Sequence, residues 1–158
     1  MSYSRQVSRT LDEEHRAHLE LLGRVERALA RGDDAELQAL AAALARQLDH
    51  EVGRHFGFEE RELFPRMAEG GDADLAELLA EEHDSIREVA DELLPLARAA
   101  ADGTLAGADL PALRRLAVEL VERQVAHIQK ESMALLPLLD DLLDDDTDRE
   151  LAFAYACG

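Results

Sequence analysis

His55-Phe56-Gly57-Phe58-Glu59 is followed by Leu63-Phe64-Pro65, and the pattern returns as His127-Ile128-Gln129-Lys130-Glu131 followed by Leu135-Leu136-Pro137. One offset of 72 residues separates the two histidines, the two glutamates and the two prolines (127 − 55, 131 − 59 and 137 − 65). Residues four positions apart on a helix project from the same face. Each copy therefore predicts a helix that presents an imidazole and a carboxylate side by side. The proline of each copy is predicted to end or kink that helix.

Four long helices are predicted around these two motifs. Three breaks rich in glycine and aspartate, at 31–34, 69–72 and 102–107, separate segments with apolar residues at three- and four-residue spacing. Short connections make consecutive helices antiparallel. The expected fold class is all-α: an up-down-up-down antiparallel four-helix bundle over about residues 5–143, with a short C-terminal tail over 144–158. The whole chain, 1–158, is expected to form a single domain.

Six polar residues interrupt the apolar faces of the four helices at one level. The first and third helices each contribute one histidine, and the two motifs contribute the other four residues. The set comprises His15, His55, Glu59, His83, His127 and Glu131. Counted from one end of the bundle, they fall within roughly 10 Å of a common level at 1.5 Å per residue. Unpaired imidazoles and carboxylates are costly in an interior, and bound metal removes that cost. We therefore predict that these residues hold a pair of first-row metal ions.

The charge balance excludes some classes of partner. The chain has 35 acidic and 17 basic residues and a formal net charge of −18, which disfavours binding to nucleic acid or to an anionic membrane. The same negative field would concentrate metal cations. Cys157 is the only cysteine, and the N-terminal residues lack the apolar core of a signal peptide. A cytoplasmic location is therefore expected.

The four histidines and two glutamates at these positions resemble the hemerythrin-like, or HHE cation-binding, domain family. The likeness extends over about residues 11–143 and includes the Leu-Phe-Pro behind the second-helix motif. The resemblance implies a non-haem di-iron centre in which Glu59 and Glu131 bridge two iron ions, often with an oxo or hydroxo bridge. It also implies a small-molecule partner such as oxygen or peroxide. Zinc or manganese would suit the same side chains.

The chain departs from the oxygen-carrying members of that family on the third and fourth helices. Those proteins have His-x-x-x-His on the third helix and a bridging aspartate on the fourth, whereas this chain has His83-x-x-x-Arg87 and Glu131. Two histidines for each metal leave more coordination positions open, which favours sensing or redox chemistry over reversible oxygen carriage. Ferritin-like di-iron proteins use Glu-x-x-His, and no histidine here has a glutamate three positions before it.

The expected function is that of a di-iron protein that senses or reacts with oxygen, peroxide or the iron and redox state. Two alternatives stay open: an enzyme that processes peroxide or nitric oxide, and a metal-stabilised interaction module whose docking surface changes with metal state. Whether the chain is an enzyme is left open at this point, and so is the identity of any protein partner.

Further residues near the six are also open to interpretation. His18 is either a fifth histidine ligand or a core residue, and Glu62 is either a ligand, a base next to the site or a solvated side chain. His50 is expected on the surface, because it lies about 140° around the helix from the histidine of the motif. Met67 and Met133 are expected in the core.

Overall fold

The computed structural model describes residues 3–158, which form five helices and contain no strand. Helix α1 is Gln6–Arg31 and α3 is Ala73–Asp102. Helix α2 covers 34–69, with α-helical Asp34–His50, Phe56–Phe58 and Phe64–Glu69 joined by the π-helical turns Glu51–His55 and Glu59–Leu63. Helix α4 covers 110–142, with α-helical Leu110–Lys130 and Leu136–Leu142 on either side of the π-helical turn Glu131–Leu135. A 3₁₀ turn, Gly107–Asp109, precedes α4, and α5 is Asp145–Cys157.

Glycine and aspartate mark the boundaries of the long helices, as the sequence predicts. Gly32 and Gly103 follow α1 and α3 with φ of 65° and 74°, the left-handed conformation that residues with a side chain rarely adopt. The Asp33 carboxylate caps α2 by accepting a hydrogen bond from the backbone N–H of Glu36. Asp109 precedes the helical part of α4 without a side-chain cap.

The four long helices form the predicted antiparallel bundle. Helix α1 packs against α2 and α4, and α3 packs against the same two helices, so each has two neighbours around a closed interior. One apolar cluster, around Leu22, Leu44 and Leu93, fills the end near the α1–α2 connection. A second, around Leu11 and Met67, fills the opposite end, and the polar layer lies between them. Within residues 3–158, no helix is both long and apolar enough to cross a membrane.

The segment predicted as a short tail is a fifth helix. Asp144 caps α5 by accepting a hydrogen bond from the backbone N–H of Thr147 at 2.7 Å. Leu151 and Tyr155 are buried in the second apolar cluster, so α5 covers the end of the bundle that this cluster fills.

Helix α5 also completes the N-terminus of α1. The buried Asp148 carboxylate accepts hydrogen bonds from the backbone N–H groups of Gln6 at 2.9 Å and Val7 at 3.0 Å. The residue that precedes α1, Arg5, has no acceptor in its side chain and makes no side-chain cap. The first turn of α1 therefore depends on a residue more than a hundred positions later in the chain.

Helices α2 and α4 continue past Pro65 and Pro137, so neither proline ends its helix. Each follows a π turn, in which the backbone N–H of Phe64 bonds to the carbonyl of Glu59 and that of Leu136 to the carbonyl of Glu131. A proline has no N–H and its ring crowds the carbonyl four residues before it. The widened turn accommodates both effects and begins at the glutamate of each motif.

The two methionines differ in burial. Met67 is fully buried in the second apolar cluster, as predicted, whereas Met133 is 81% exposed. The core prediction for Met133 is wrong because it lies two positions after Glu131, and about 100° of rotation for each residue turns it away from the interior.

Candidate metal centre

All six residues predicted as metal ligands meet in one buried layer, and none of them is more than 1% exposed. They form two groups whose possible ligand atoms all lie within 4.8 Å of one another. The first group is His15, His55, Glu59 and Glu131, and the second is Glu59, His83, His127 and Glu131. Each group therefore has two imidazoles of its own and shares both carboxylates with the other.

The Glu131 carboxylate reaches into both groups. Its Oε1 lies 3.0 Å from Nε2 of His15 in the first group, and its Oε2 lies 3.1 Å from Nε2 of His127 in the second. Glu131, whose side chain points into the bundle, is the first residue of the π turn of α4. One oxygen thus faces each group.

The Glu59 carboxylate has the same arrangement from the opposite side of the bundle. Its Oε2 lies 3.2 Å from Nε2 of His55, and its Oε1 lies 3.1 Å from Nε2 of His83. Glu59 likewise begins a π turn, so the repeat extends from the motif to the backbone that carries it. Two carboxylates that each direct one oxygen to each group are in the arrangement of bridging ligands.

The ligand atoms of the second group are better placed to bind a cation than to form hydrogen bonds with one another. Oε1 of Glu59, Oε2 of Glu131 and Nε2 of both His83 and His127 are buried without a hydrogen-bond partner. Bonds of about 2.1 Å at right angles place neighbouring ligand atoms about 3.0 Å apart, close to the separations seen here. Buried polar atoms without partners raise the free energy of the fold, and a cation between them would remove that cost. The residues present therefore fit a pair of metal ions.

A ring of hydrogen bonds holds the outer nitrogen of each histidine. Nδ1 of His55 on α2 donates to Glu14 of α1 at 2.8 Å, and Nδ1 of His83 on α3 donates to Glu60 of α2 at 2.7 Å. In each case the acceptor directly precedes or follows a residue of the cluster on the neighbouring helix. A carboxylate on Nδ1–H fixes the tautomer and leaves the Nε2 lone pair facing inward.

Contacts between α3 and α4 and between α4 and α1 complete the ring, and in one of them the partner is a hydroxyl instead of a carboxylate. Nδ1 of His127 on α4 donates to Glu82 of α3 at 2.8 Å, and Nδ1 of His15 on α1 lies 3.3 Å from the hydroxyl of Ser132 on α4. Three histidines thus have an acidic partner and His15 has a neutral one. The first group is supported by one carboxylate and one hydroxyl, and the second by two carboxylates.

Sequence reasoning missed this ring, although a local signal was present. Glu14 and Glu82 directly precede His15 and His83, and the offset of 68 residues between these pairs repeats in the sequence (82 − 14). Each glutamate supports a histidine on the next helix rather than its own neighbour, so helical spacing along one segment does not reveal the contact.

Arg87 lies four positions after His83 and outside the cluster. Its guanidinium donates to both oxygens of Glu60, at 2.8 and 2.9 Å. Burial raises the pKa of Glu60, but the hydrogen bonds from Arg87 and His83 outweigh it and lower the pKa. Lys130 pairs with Oε2 of Glu82, and the hydrogen bonds from Lys130 and His127 likewise lower the pKa of Glu82 although burial raises it. Both cations therefore keep the outer carboxylates ionised as acceptors.

The carboxylates of the cluster raise the pKa of three of its histidines, His55, His83 and His127. Burial lowers the pKa of His83, but the facing carboxylates of Glu131 and Glu59 outweigh it and raise the pKa to about 10. Burial also lowers the pKa of His55 and His127, but the nearby carboxylates outweigh it and raise the pKa of both. Metal ligation requires neutral imidazoles, so metal binding must displace these protons.

His18 and Glu62 lie outside both groups. Nδ1 of His18 donates to Gln47 at 2.8 Å, and its Nε2 accepts from the amide of Gln124 at 2.9 Å. Burial lowers the pKa of His18, which favours this neutral form. Both ring nitrogens are thus used, and His18 is a core residue. Glu62 is partly exposed and pairs with Arg66.

His50 and Tyr155 connect the cluster to the surface and to α5. His50 is partly exposed, as predicted, but its Nε2 lies 3.0 Å from Oε2 of Glu14, a contact that the prediction lacked. The hydroxyl of Tyr155 donates to Oε1 of the same carboxylate at 2.6 Å. Together with the bond from His55, these contacts lower the pKa of Glu14 to about 2 although burial raises it. A continuous chain of contacts therefore links α5 to His55.

A comparison with protein-family models agrees with this geometry. The model of the hemerythrin HHE cation-binding domain matches residues 6–139, a range that contains all six residues of the cluster. Among curated proteins, none matches the chain. The family match extends over most of the sequence and coincides with a helical bundle that encloses a histidine–glutamate cluster suited to two metals. The chain therefore belongs to the hemerythrin HHE cation-binding domain family.

Proposed function

We propose that the six clustered residues bind two iron ions and that this centre senses or reacts with oxygen or peroxide. The observation that carries the proposal is the sharing of Glu59 and Glu131, each of which directs one oxygen to each group. Imidazole and carboxylate are suitable ligands for iron, and also for zinc and manganese. Bound iron would supply the redox chemistry that the side chains lack.

The number of ligands supports reaction or sensing rather than oxygen carriage. Each group offers two imidazoles and two shared carboxylates, and an octahedral metal ion takes about six ligands. Positions for a small molecule therefore stay open on both sides of the centre. His18 is fully hydrogen-bonded and Arg87 is engaged with Glu60, so neither adds a fifth histidine to the set.

The chain itself orients the ligands and keeps water away from them. The Phe56 ring stacks on His83 with a centroid distance of 3.7 Å and an interplanar angle of 6°. Apolar clusters close the layer above and below. A dry, rigid site strengthens electrostatic interactions and protects a reactive centre from side reactions.

A metal-dependent interaction module is a second candidate, and one contact favours it. Tyr155 of α5 donates to Glu14, which accepts from His55, so a change at His55 would reach α5 through two hydrogen bonds. Phe153 on the same helix is 72% exposed and is available to a partner. In this function the centre would control how firmly α5 is held.

Elemental analysis of protein purified without chelator tests the metal assignment. We expect close to two metal ions per chain, mainly iron, together with visible absorption that is lost on reduction. Reduced protein that is exposed to air should oxidise completely and should stay oxidised when oxygen is removed. Recovery of the reduced spectrum on evacuation would instead support reversible oxygen binding, and a zinc-filled site without visible absorption would contradict the iron assignment.

A further inference from the structure

Glu51 is a buried carboxylate that neither the metal centre nor its ring of hydrogen bonds uses. It begins the first π turn of α2, which ends at His55, and it is only 2% exposed. Its Oε1 is buried and has no hydrogen-bond partner. A buried carboxylate without a partner raises the free energy of the fold, so its place in the interior calls for a specific interaction.

The imidazole of His55 is the group that can provide this interaction. Within residues 3–158, Nδ1 of His55 is the only basic nitrogen in ion-pair contact with Glu51, at 3.5 Å from its Oε2. His18 cannot provide it, because Gln47 and Gln124 occupy both of its ring nitrogens. Residues four positions apart on a helix share one face, so the contact with His55 is built into α2.

The Nδ1–H of His55 is directed to Glu14 in the structure, but Glu14 has other donors. Oε1 of Glu14 accepts from His55 at 2.8 Å and from the hydroxyl of Tyr155 at 2.6 Å. Its Oε2 lies 3.0 Å from Nε2 of His50, which is partly exposed. The position of Glu14 therefore depends on α5 and on a residue near the surface. Glu51 has no such competing donor and lies beside the same proton.

The second half of the repeat has no counterpart of Glu51. The offset of 72 residues that relates the two motifs leads to Arg123 (51 + 72), whose guanidinium donates hydrogen bonds to α3. The second group already has two acidic outer partners, Glu60 and Glu82, whereas His15 of the first group has only the hydroxyl of Ser132. Glu51 would give the first group its second outer carboxylate.

We propose that Glu51 is a positioning residue of the metal centre. It is a second acceptor for the Nδ1–H of His55 and keeps this imidazole oriented when Glu14 moves away. A carboxylate on Nδ1–H leaves the Nε2 lone pair facing the metal, whichever of the two residues supplies it. This inference rests on the proposed function, because it concerns how the cluster holds its metal.

The affinity for Zn²⁺ alone tests this role, since Zn²⁺ suits the same side chains and has no redox chemistry. Glu82→Gln has no replacement acceptor and should lower the affinity about 10–100-fold. Glu14→Gln should lower it less than about tenfold, because Glu51 then accepts the proton of His55. The double variant Glu14→Gln/Glu51→Gln should lose about as much as Glu82→Gln. Competition with a chelator measures all three.

Two further variants separate the role of Glu51 from a general effect of charge. Glu51→Gln alone should lower the affinity less than Glu14→Gln does, because Glu14 retains the proton. Glu77 is exposed on α3, so Glu14→Gln/Glu77→Gln removes the same total charge as the double variant. It should match Glu14→Gln alone.

The Nδ1 proton of His55 gives a readout that a merely structural role would not move. In Zn²⁺-loaded protein with isotope-labelled histidine, its magnetic resonance signal should keep the position of a strong hydrogen bond in Glu14→Gln. In Glu14→Gln/Glu51→Gln the signal should move upfield and exchange faster with water, because a neutral amide is a weaker acceptor than a carboxylate. If the double variant does not fold, the signal in Glu14→Gln alone still decides.

The outcomes separate this role from the proposed function. Equal losses of affinity in Glu14→Gln and Glu82→Gln would overturn the role of Glu51 while the metal centre stands. A double variant whose loss is only the product of the two single losses would also overturn it, because the two carboxylates would then act independently. If the unaltered protein bound neither iron nor Zn²⁺, the proposed function would fail, and the role of Glu51 with it.

Discussion

At the residue scale, the shared carboxylates would make the two proposed metal positions depend on each other. Glu131 sends one oxygen towards His15 and the other towards His127, so a single substitution affects both groups. We expect Glu131→Gln to reduce bound metal from about two ions to fewer than one per chain, because the amide lacks the charge that bridging requires. Elemental analysis after removal of loosely bound metal measures this loss.

The control for Glu131 lies on the same helix. Glu122 is exposed and outside the cluster, so Glu122→Gln should retain both ions. His50 is less suitable as a silent control because it contacts Glu14. Loss of only one ion in Glu131→Gln would show that this carboxylate serves one metal and would contradict its bridging role.

The hydrogen-bond partners of the histidine Nδ1 atoms predict that the two metals are bound with unequal affinity. Glu82 is an acidic partner of His127, whereas Ser132 is a neutral and more distant partner of His15. Removal of an outer partner of a metal-ligating histidine typically lowers metal affinity about 10–100-fold. We expect Glu82→Gln to fall in that range and Ser132→Ala to have a smaller effect, measured by competition with a chelator. An equal loss in both variants would mean that the charge of the partner is unimportant.

The sequence alone predicts the inner residues of the site better than its outer residues. His55 and Glu59 share one helical face, so their spacing on a single segment is enough to place them together. The pairing of Glu60 with His83 joins two helices and depends on their relative rotation, which no single segment encodes. The same limit applies to His18, whose hydrogen bonds to Gln47 and Gln124 come from two other helices.

At the scale of elements, two of the π turns begin where the repeat has its glutamates. Helical spacing predicts that Glu59 and Glu131 face inward, but it assumes a uniform α-helix and therefore cannot reveal the wider turn. The two prolines predict that each helix ends or kinks there. A proline that follows a π turn instead lets the helix continue, and this places Met67 in the core beyond it.

Helix α5 was missed for a comparable reason. The sequence analysis predicts a short tail from residue 144 onwards, although Asp144, three residues before Thr147, is also the signature of a helix cap. The choice between these interpretations depends on tertiary contacts. Leu151 and Tyr155 can be buried only because the bundle end offers them an apolar surface.

The cap that Asp148 makes on α1 leads to a prediction for α5. Asp148→Ala would leave the backbone N–H groups of Gln6 and Val7 without their acceptor. Loss of a helix cap lowers the free energy of unfolding by about 1–2 kcal/mol, which corresponds to a Tm about 2–8 °C lower for a domain of this size. Thermal unfolding followed by circular dichroism measures the change. Asp146→Ala, at a side chain that is 81% exposed, should shift Tm very little, and equal shifts would contradict the cap.

At the scale of the whole molecule, we expect metal binding and folding to be coupled. The polar layer lies between two apolar clusters and contains buried atoms that have no hydrogen-bond partner. A ligand that binds only the folded state raises its stability, and a metal held by buried side chains is such a ligand. We expect chelation to lower Tm by several degrees or more. An unchanged melting curve after verified metal removal would contradict a buried metal centre.

The metal-free protein should also become less stable as the pH rises, whereas the metal-loaded protein should not. His83 has an ordinary pKa of 6.5 and a folded-state pKa of about 10. A raised pKa means that the proton stabilises the fold; this contribution is complete below about pH 6.5 and is lost as the pH rises through about 10. Urea unfolding of chelated protein between pH 7 and 10 should therefore show a falling free energy of unfolding. In the loaded protein, metal replaces the proton on the cluster, and the same pH range should have little effect. A metal-free protein with constant stability across this range would indicate neutral imidazoles and would contradict a cluster that exchanges protons for metal.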